Sequence, residues 1–230
     1  MARPILVYGH PAAGKTYALK NLNPDTTIII DADGKGGLPW FGWKQHYSSE
    51  KKNFVTLLTL DKIFSSLKSI VENEKYNHIK TIVIDGLNSA LAREQAFYDE
   101  WNNTKNGFEK YDALARKALR LIYLAQTARD DSLNIIFTAH VECADSYMPT
   151  DVDHMLTPGK QLEKKYKIEG QFNFVFYAKV DDEGNHVFET QPNRSTAKSS
   201  EGCFQKIIPN DFQFILDSID AYERGELING

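Results

Sequence analysis

The densest chemistry in the sequence lies near its start, in Gly9-His10-Pro11-Ala12-Ala13-Gly14-Lys15-Thr16. These residues satisfy the pattern GxxxxGK[ST]. Gly9 and Gly14 permit a tight turn and close backbone approach, Lys15 brings a point charge to β- and γ-phosphates, and Thr16 offers a hydroxyl to Mg²⁺. The apolar run Ile5 to Tyr8 comes immediately before, and a helix-forming stretch comes immediately after. That is the context in which loop amides converge on phosphate oxygens at a helix N-terminus. The competing reading, a glycine turn that happens to contain Lys-Thr, loses ground to a second signal. Thr81-Ile82-Val83-Ile84-Asp85 ends an apolar run in one acid, the Walker B form, which places a carboxylate where it can hold Mg²⁺ through a water. Asp85 capping the following helix is the alternative.

Positioning these groups takes a sheet with crossover helices, and the rest of the chain supplies the parts. Short β-branched runs alternate with helix-like stretches, the signature of an α/β fold with a mainly parallel central sheet. A first helix is expected from Gly14, stopping near Asn23-Pro24 because a proline disfavours helix in the residue before it. A strand at Thr27-Ile28-Ile29-Ile30 runs into Asp31-Ala32-Asp33 and the glycine-rich Gly34-Lys35-Gly36-Gly37. Another strand is expected at Phe54 to Leu58, then a helix from about Asp61 with Ile63, Phe64, Leu67, Ile70 and Val71 on its core face. A long helical region runs from about Asn88 to Ala128 with a break at Asn102–Gly107. The strand Asn134 to Thr138 ends at Ala139-His140. The segment Val141 to Gly159 lacks periodicity and reads as a functional or moving loop. Strands at Phe172 to Val180 and Asn185 to Gln191 form a hairpin around Asp181-Asp182-Glu183-Gly184, and a helix from Asp211 to Arg224 follows. With no repeat and no linker, residues 1–230 read as a single domain with a C-terminal β-hairpin extension.

Composition bounds the rest. The 230 residues are 42% hydrophobic and 25% charged, ordinary globular usage for a chain that buries about 70% of its unfolded surface. Cys143 and Cys203 show neither CxxC spacing nor a His pair at zinc-finger separation, so reduced thiols are expected. Met1-Ala2-Arg3-Pro4 leads straight into the first strand, too short for a signal sequence, and no apolar run reaches membrane-spanning length; a cytoplasmic protein is expected. The net charge of −4 argues against wholesale attraction to nucleic acid, so any such contact must be local.

A phosphate-binding loop does not say what the nucleotide drives. A GTPase would carry an NKxD motif, which Asn103-Thr104-Lys105-Asn106 does not fit. A small-molecule kinase would bring an arginine-rich lid, yet Arg194 is the one arginine between Val141 and Gly202. The remaining group has an extra strand between the P-loop strand and the Walker B strand, with a polar residue at its end sensing the γ-phosphate; Thr138 and His140 are placed for that role.

On these residues the chain resembles RecA-type P-loop proteins. Ile29-Ile30-Asp31-Ala32-Asp33 looks like the strand end whose carboxylate activates the attacking water in those recombinases. The resemblance makes Asp33 the candidate base, with Asp31 its rival, although the recombinases carry the longer Glu. Both acids capping the turn before Gly34 is the other reading. The order of motifs, with Thr196-Ala197-Lys198 after the hairpin, is similar to short RecA-like ATPases of bacteriophages associated with single-strand annealing and recombination. That resemblance implies ATP and Mg²⁺ as cofactors, single-stranded DNA and other recombination proteins as partners, and a host-cytoplasmic location for a phage-encoded chain. It also implies an oligomer with ATP between subunits, in which Arg194 and Lys198 are candidate fingers acting in trans. A solvated basic turn is the alternative for that pair. The lysine-rich stretch Lys160, Lys164, Lys165 and Lys167 with Tyr166 suits a single-strand track. It equally suits a charged, solvent-facing helix. A nucleotide-binding regulatory or assembly module with little hydrolysis is the rival function, and a small-molecule kinase ranks below it.

Overall fold

The computed structural model describes residues 2–101, 107–128, 132–144, 151–158 and 161–226. The strands are β1 (Arg3–Gly9), β2 (Thr27–Asp31), β3 (Phe54–Thr56), β4 (Thr81–Asp85), β5 (Asn134–Glu142), β6 (His154–Met155), β7 (Phe174–Val180), β8 (His186–Glu189) and β9 (Ile207–Pro209). The α-helices are α1 (Trp43–His46), α2 (Leu60–Glu72), α3 (Leu87–Trp101), α4 (Gly107–Thr127) and α5 (Phe212–Glu223).

The sheet runs β3-β2-β4-β5-β1-β7-β8-β9, with β6 paired to β5. From β3 to β7 every pairing along this path is parallel, and β8 and β9 close the edge antiparallel. This is an α/β P-loop NTPase fold. The expected extra strand is β5, which lies between Walker B strand β4 and P-loop strand β1. The parallel strands read as near-continuous apolar runs because both of their faces are covered. Leu6 and Tyr8 of β1 pack with Ile30, Ile84 and Phe137 against α2, α3 and α4. The alternating residues Ile5 and Val7 pack with Ile29, Val83 and Ile136 against α5 and the Trp40 region. Each such Ile or Leu, taken fully out of water, contributes on the order of 1.5–3 kcal/mol.

The elements depart from the sequence expectations in ways that have physical causes. The helix after the P-loop is one 3-10 turn, Tyr17–Asn21, not a helix from Gly14. Gly14 is left-handed at φ 87°, and Leu22 is already extended before Asn23-Pro24, so little room remains for a longer helix. The strand at Phe54 stops at Thr56, where β3 loses its partner at the end of β2. The hairpin of β7 and β8 forms as expected and gains β9, a strand too short to show a period. The segment Val141 to Gly159 is not wholly irregular: Val141 and Glu142 extend β5 and pair with Met155 and His154. Residues 145–150 and 159 of it lie outside the described residues. Cys143 is exposed, Cys203 is buried, and both are free thiols.

The α2 stripe buries Ile63, Leu67, Ile70 and Val71 as its periodicity requires, with Phe64 packed half-buried at its edge. Lys117 of α4 ties α2 and α3 together by pairing with Asp61 and Glu94. The clamp at Glu94 fixes the register of α3, whose first turns face the carboxyl ends of β2 and β4.

Candidate functional site

The P-loop begins where β1 ends. Gly9 lies opposite Ala178 of β7, and a Cβ on it would stand 2.2 Å from the Ala178 carbonyl oxygen. The first glycine of the motif is therefore demanded by the neighbouring strand. Ala12 at φ 63° and Gly14 at φ 87° are both left-handed, an alternation that turns backbone N–H groups into an anion-binding concavity. A side chain on Gly14 would also meet Asn210 Oδ1 at 2.9 Å and His186 Nδ1 at 3.0 Å. The C-terminal strands thus roof the loop. Lys15 Nζ donates to the carbonyls of Gly9 (2.8 Å) and His10 (2.7 Å). Burial lowers its pKa to about 8. A five-residue 3-10 turn cannot sum the dipole of a long helix, so attraction for phosphate rests on the loop amides and Lys15.

Thr16 and Asp85 meet here: Thr16 Oγ1 donates to Asp85 Oδ2 at 2.9 Å. Thr138 Oγ1 donates to Asp85 Oδ1 at 2.5 Å and accepts from the Gly86 amide at 2.9 Å. Burial pushes the Asp85 carboxyl up, against the two hydroxyl bonds that favour its charged form. A hydroxyl and a carboxylate are the hard oxygen donors Mg²⁺ prefers, and Mg²⁺ takes its remaining positions from waters and phosphate oxygens. Thr16 and Asp85 fit that ion. Among the described residues no cluster of three or more His, Cys, Asp or Glu could hold a metal, so a cation at Asp85 would draw on phosphate and water.

Of the two sensor candidates, both of which line the cavity, Thr138 of β5 spends its hydroxyl on Asp85 and Gly86 at the end of the Walker B strand. His140 lines the cavity, and its Nδ1 is buried with no hydrogen-bond partner among the described residues. Burial and the charge of Lys15 hold its pKa below the ordinary value, leaving a neutral imidazole near pH 7.

The two acids of the β2 end separate cleanly. Asp31 accepts from the amides of Gly34 (2.8 Å), Lys35 (3.3 Å) and Gly36 (2.8 Å) and from Thr56 Oγ1 (3.1 Å). It is the turn-capping residue. Asp33 lines the cavity with Lys15, Thr16 and Asp85. Its Oδ1 accepts from Ser89 Oγ at 2.5 Å and its Oδ2 from Lys35 Nζ at 2.5 Å. Burial pushes the Asp33 carboxyl up, but the Lys35 and Ser89 contacts outweigh it and hold the pKa below the ordinary value. Arg93 donates to the carbonyls of Ala32 (2.6 Å) and Asp33 (2.5 Å), fixing the backbone that carries the acid.

The cavity bounded by these groups measures about 580 Å³, within the roughly 300–1,000 Å³ of small-molecule sites. Pro11, Tyr17, Pro39 and His186 form its less polar wall. Sequence reasoning missed Lys35, Ser89, Arg93 and His186. Of these Lys35 had a legible signal, a cation among the glycines two residues beyond Asp33.

The remaining candidates lie elsewhere. Arg194 is exposed, left-handed at φ 57°, and does not line the phosphate cavity. Lys198 lines a second cavity of about 660 Å³ beyond the end of β5, and burial lowers its pKa. Lys164 and Lys167 border the same cavity, facing Glu142, Asp151, Glu163 and Glu169, so more acid opposes them than their own segment shows. Lys165 stands over the Tyr166 ring at 5.1 Å. Lys160 lies outside the described residues. Gln161–Lys165 forms a π-helical turn with Lys164 and Lys165 exposed.

The phosphate loop, the acid at the end of β4 and the strand between them agree with the comparison to known families. A family model described as an AAA domain matches residues 1–200. The chain belongs to this AAA-domain family. Membership makes it a nucleotide-binding, ATPase-type domain, and the match spans every residue of the cavity described above. No curated protein matches the chain at a significant level. Among the described residues, no helix of this AAA-domain protein is long and apolar enough to cross a membrane.

Proposed function

We propose that this AAA-domain protein binds Mg²⁺ and ATP and hydrolyses the β–γ phosphoanhydride, and that it does so with single-stranded DNA, as an oligomer, in phage recombination or repair. The observation that carries the hydrolytic reading is the 2.9 Å contact between Thr16 Oγ1 and Asp85 Oδ2, with Asp33 lining the same cavity. Thr16 and Asp85 would hold the cation, which stabilises charge on the transferring phosphoryl group. Lys15 and the loop from Gly9 to Thr16 bind the phosphates, neutral His140 offers a hydrogen bond, and Asp33 takes the proton of the attacking water.

The DNA half rests on the resemblance to phage RecA-like proteins and on the exposed Lys164, Lys165 and Lys167 beside Tyr166. Arg194 and Lys198 lie off the chain's own phosphate cavity, so as fingers they would act on a neighbouring subunit. ATP turnover measured with and without Mg²⁺, and with and without single-stranded DNA, tests the proposal. Turnover that needs Mg²⁺ and rises with DNA supports it. Absence of DNA stimulation at low salt removes the DNA half, since contacts to phosphates are strongest there.

A second reading, a nucleotide-binding module with little hydrolysis, is favoured by the ion pair that ties Asp33 to Lys35. Asp33→Ala separates the two, abolishing turnover in an ATPase and changing nothing in a binding module.

A further inference from the structure

The Asp33–Lys35 pair is unequal. Asp33 is 8% exposed and held from three sides, by Ser89 on its carboxylate, by Arg93 on its carbonyl and by Gly86 packed against it. Lys35 is 67% exposed. Its amide is fixed by Asp31, while Gly34 and Gly36 on either side are left-handed at φ 72° and 67°. The backbone at Lys35 is therefore anchored at the cavity rim, and its long side chain can swing without disturbing a packed neighbour. Lys35 lines the same cavity as Lys15, Thr16 and Asp85, and its charge is felt at Lys15, Asp85 and His140.

A carboxylate locked in an ion pair is a poor proton acceptor. A nucleoside triphosphate carries more negative charge than one carboxylate, and its terminal phosphoryl group would compete for the same ammonium. We propose that Lys35 is a γ-phosphate ligand supplied by the chain's own subunit, and that its transfer from Asp33 to the γ-phosphate frees Asp33 to act as base. ATP thereby unlocks the base that cleaves it, and ADP, lacking the γ-phosphate, leaves the pair closed. In the step itself the water oxygen bonds to the γ-phosphorus and the bond to the bridging oxygen breaks. ADP leaves with that electron pair, and the water proton passes to Asp33 and then to solvent. No co-reactant beyond water is required. The same device reconciles hydrolysis with an acid that is tied up by a cation.

The inference rests on the ATPase reading, and its test is chosen to fail separately. Equilibrium binding of ADP and of the β,γ-imido analogue of ATP, both with Mg²⁺, is measured for the full chain and for Lys35→Ala, Lys35→Arg and Asp33→Asn, beside ATP turnover. Lys35→Ala is expected to lose about tenfold or more in affinity for the triphosphate analogue, the scale of one charge-assisted contact, and less than twofold for ADP. ADP affinity doubles as the control for folding. Lys35→Arg should keep the triphosphate preference. Asp33→Asn should bind the triphosphate analogue more tightly than the unsubstituted chain, because the competing carboxylate is gone, and should turn ATP over about 10²–10⁴-fold more slowly. Equal loss of both nucleotides in Lys35→Ala, loss of neither, or weaker triphosphate binding in Asp33→Asn would each overturn the role of Lys35. A chain that binds both nucleotides without turnover overturns the hydrolytic reading, while the triphosphate-to-diphosphate ratio still decides for or against Lys35.

Discussion

The carboxylate of Asp33 occupies the space that a side chain on Gly86 would need. A Cβ built on Gly86 falls 1.8 Å from Asp33 Oδ1, and Gly86 is left-handed at φ 97°. The residue after the Walker B acid is thus glycine for the sake of the acid at the end of a different strand. The same Gly86 amide donates to Thr138 Oγ1, so one backbone position joins the ends of β2 and β4 to the middle of β5.

Gly86→Ala is therefore expected to act on chemistry more than on binding. The left-handed backbone costs a β-carbon about 1–2 kcal/mol, and the methyl group must push Asp33 off its bond to Ser89. Unfolding in urea should show a loss of about 1–3 kcal/mol. Turnover should fall by about a hundredfold, the scale expected when a reacting group is displaced by an ångström. ADP affinity, which depends on Gly9 to Thr16, should change little. A variant with unaltered turnover would show that Asp33 need not occupy this position.

Removing the carboxylate itself separates catalysis from binding. Asp33→Asn keeps the shape and the Ser89 contact but cannot take a proton, so turnover should drop by about 10²–10⁴. Asp31→Asn is the informative contrast. It weakens the caps on the Gly34, Lys35 and Gly36 amides without entering the cavity, and it should cost stability first. Comparable loss of turnover in both, at equal stability, would reverse the assignment of the two acids.

Much of this arrangement was legible in the sequence because the parallel strands are buried on both faces and read as continuous apolar runs. Ile82 to Ile84 and Ile135 to Phe137 announce themselves; Asp85 closes its run as the last residue of β4, whereas Thr138 closes the apolar run but β5 continues past it to Glu142. The choice between Asp31 and Asp33 was not legible. Alternation along a strand assigns faces, but it does not say which acid the following glycines will bend back to cap. Ser89 and Arg93 were hidden for another reason. They are ordinary polar residues one helical turn apart, and only the crossover from β4 into α3 aims them at the β2 end. The 3-10 turn after the P-loop was overestimated as a helix because the local pattern does not reveal the left-handed Gly14 that roof residues His186 and Asn210 press upon. The finger candidates follow from the resemblance and the lysine track from local sequence, neither of which shows that the fold brings Glu142 of β5 and Asp151 to the cavity that Lys164, Lys167 and Lys198 line.

Thr138 offers a test of the Walker B architecture. Its hydroxyl is the donor to Asp85 Oδ1 and the acceptor for the Gly86 amide, and all three groups are buried. Thr138→Val keeps the shape and strands two polar groups at once, which should cost about 1–3 kcal/mol for each. Thr138→Ser retains both bonds and should restore most of the loss. A partner that orients a metal-holding carboxylate typically matters by 10–100-fold, so the Mg²⁺ concentration for half-maximal turnover should rise by that factor in Thr138→Val. An unchanged Mg²⁺ requirement would place the metal away from Asp85.

Tyr8 makes a prediction about alkaline stability. Its phenol is buried between β1 and the segment that carries Arg194 and Lys198. It donates to the Asp153 carbonyl at 3.0 Å and accepts from the Thr196 amide at 2.8 Å. Burial is the main cause that pushes its pKa up to about 12 from an ordinary 10.0, against the Thr196 bonds that favour the phenolate. Tyr177, stacked on Tyr8 and donating to Asp153 Oδ2 at 2.9 Å, is pushed up as well, by burial and then by the Asp153 carboxylate. Because the folded state holds these protons more tightly than the unfolded chain, their contribution is complete below pH 10 and is lost as pH rises toward 12. Each phenol should remove up to about 1.4 kcal/mol of unfolding free energy per pH unit in that window. Tyr8→Phe removes one of the two titrations together with the phenol's bonds to Thr196 and to the Asp153 carbonyl, while the Thr196 amide and that carbonyl keep their own bond of 3.0 Å. The variant should therefore be about 0.5–1.5 kcal/mol less stable at pH 7, the net worth of a hydrogen bond whose partners remain paired, and lose stability less steeply above pH 10. Urea unfolding of both proteins from pH 7 to 11.5 measures the difference, in which the lysines common to both cancel. Parallel curves above pH 10 would mean that the Tyr8 phenol titrates no differently in the folded protein than in the unfolded one.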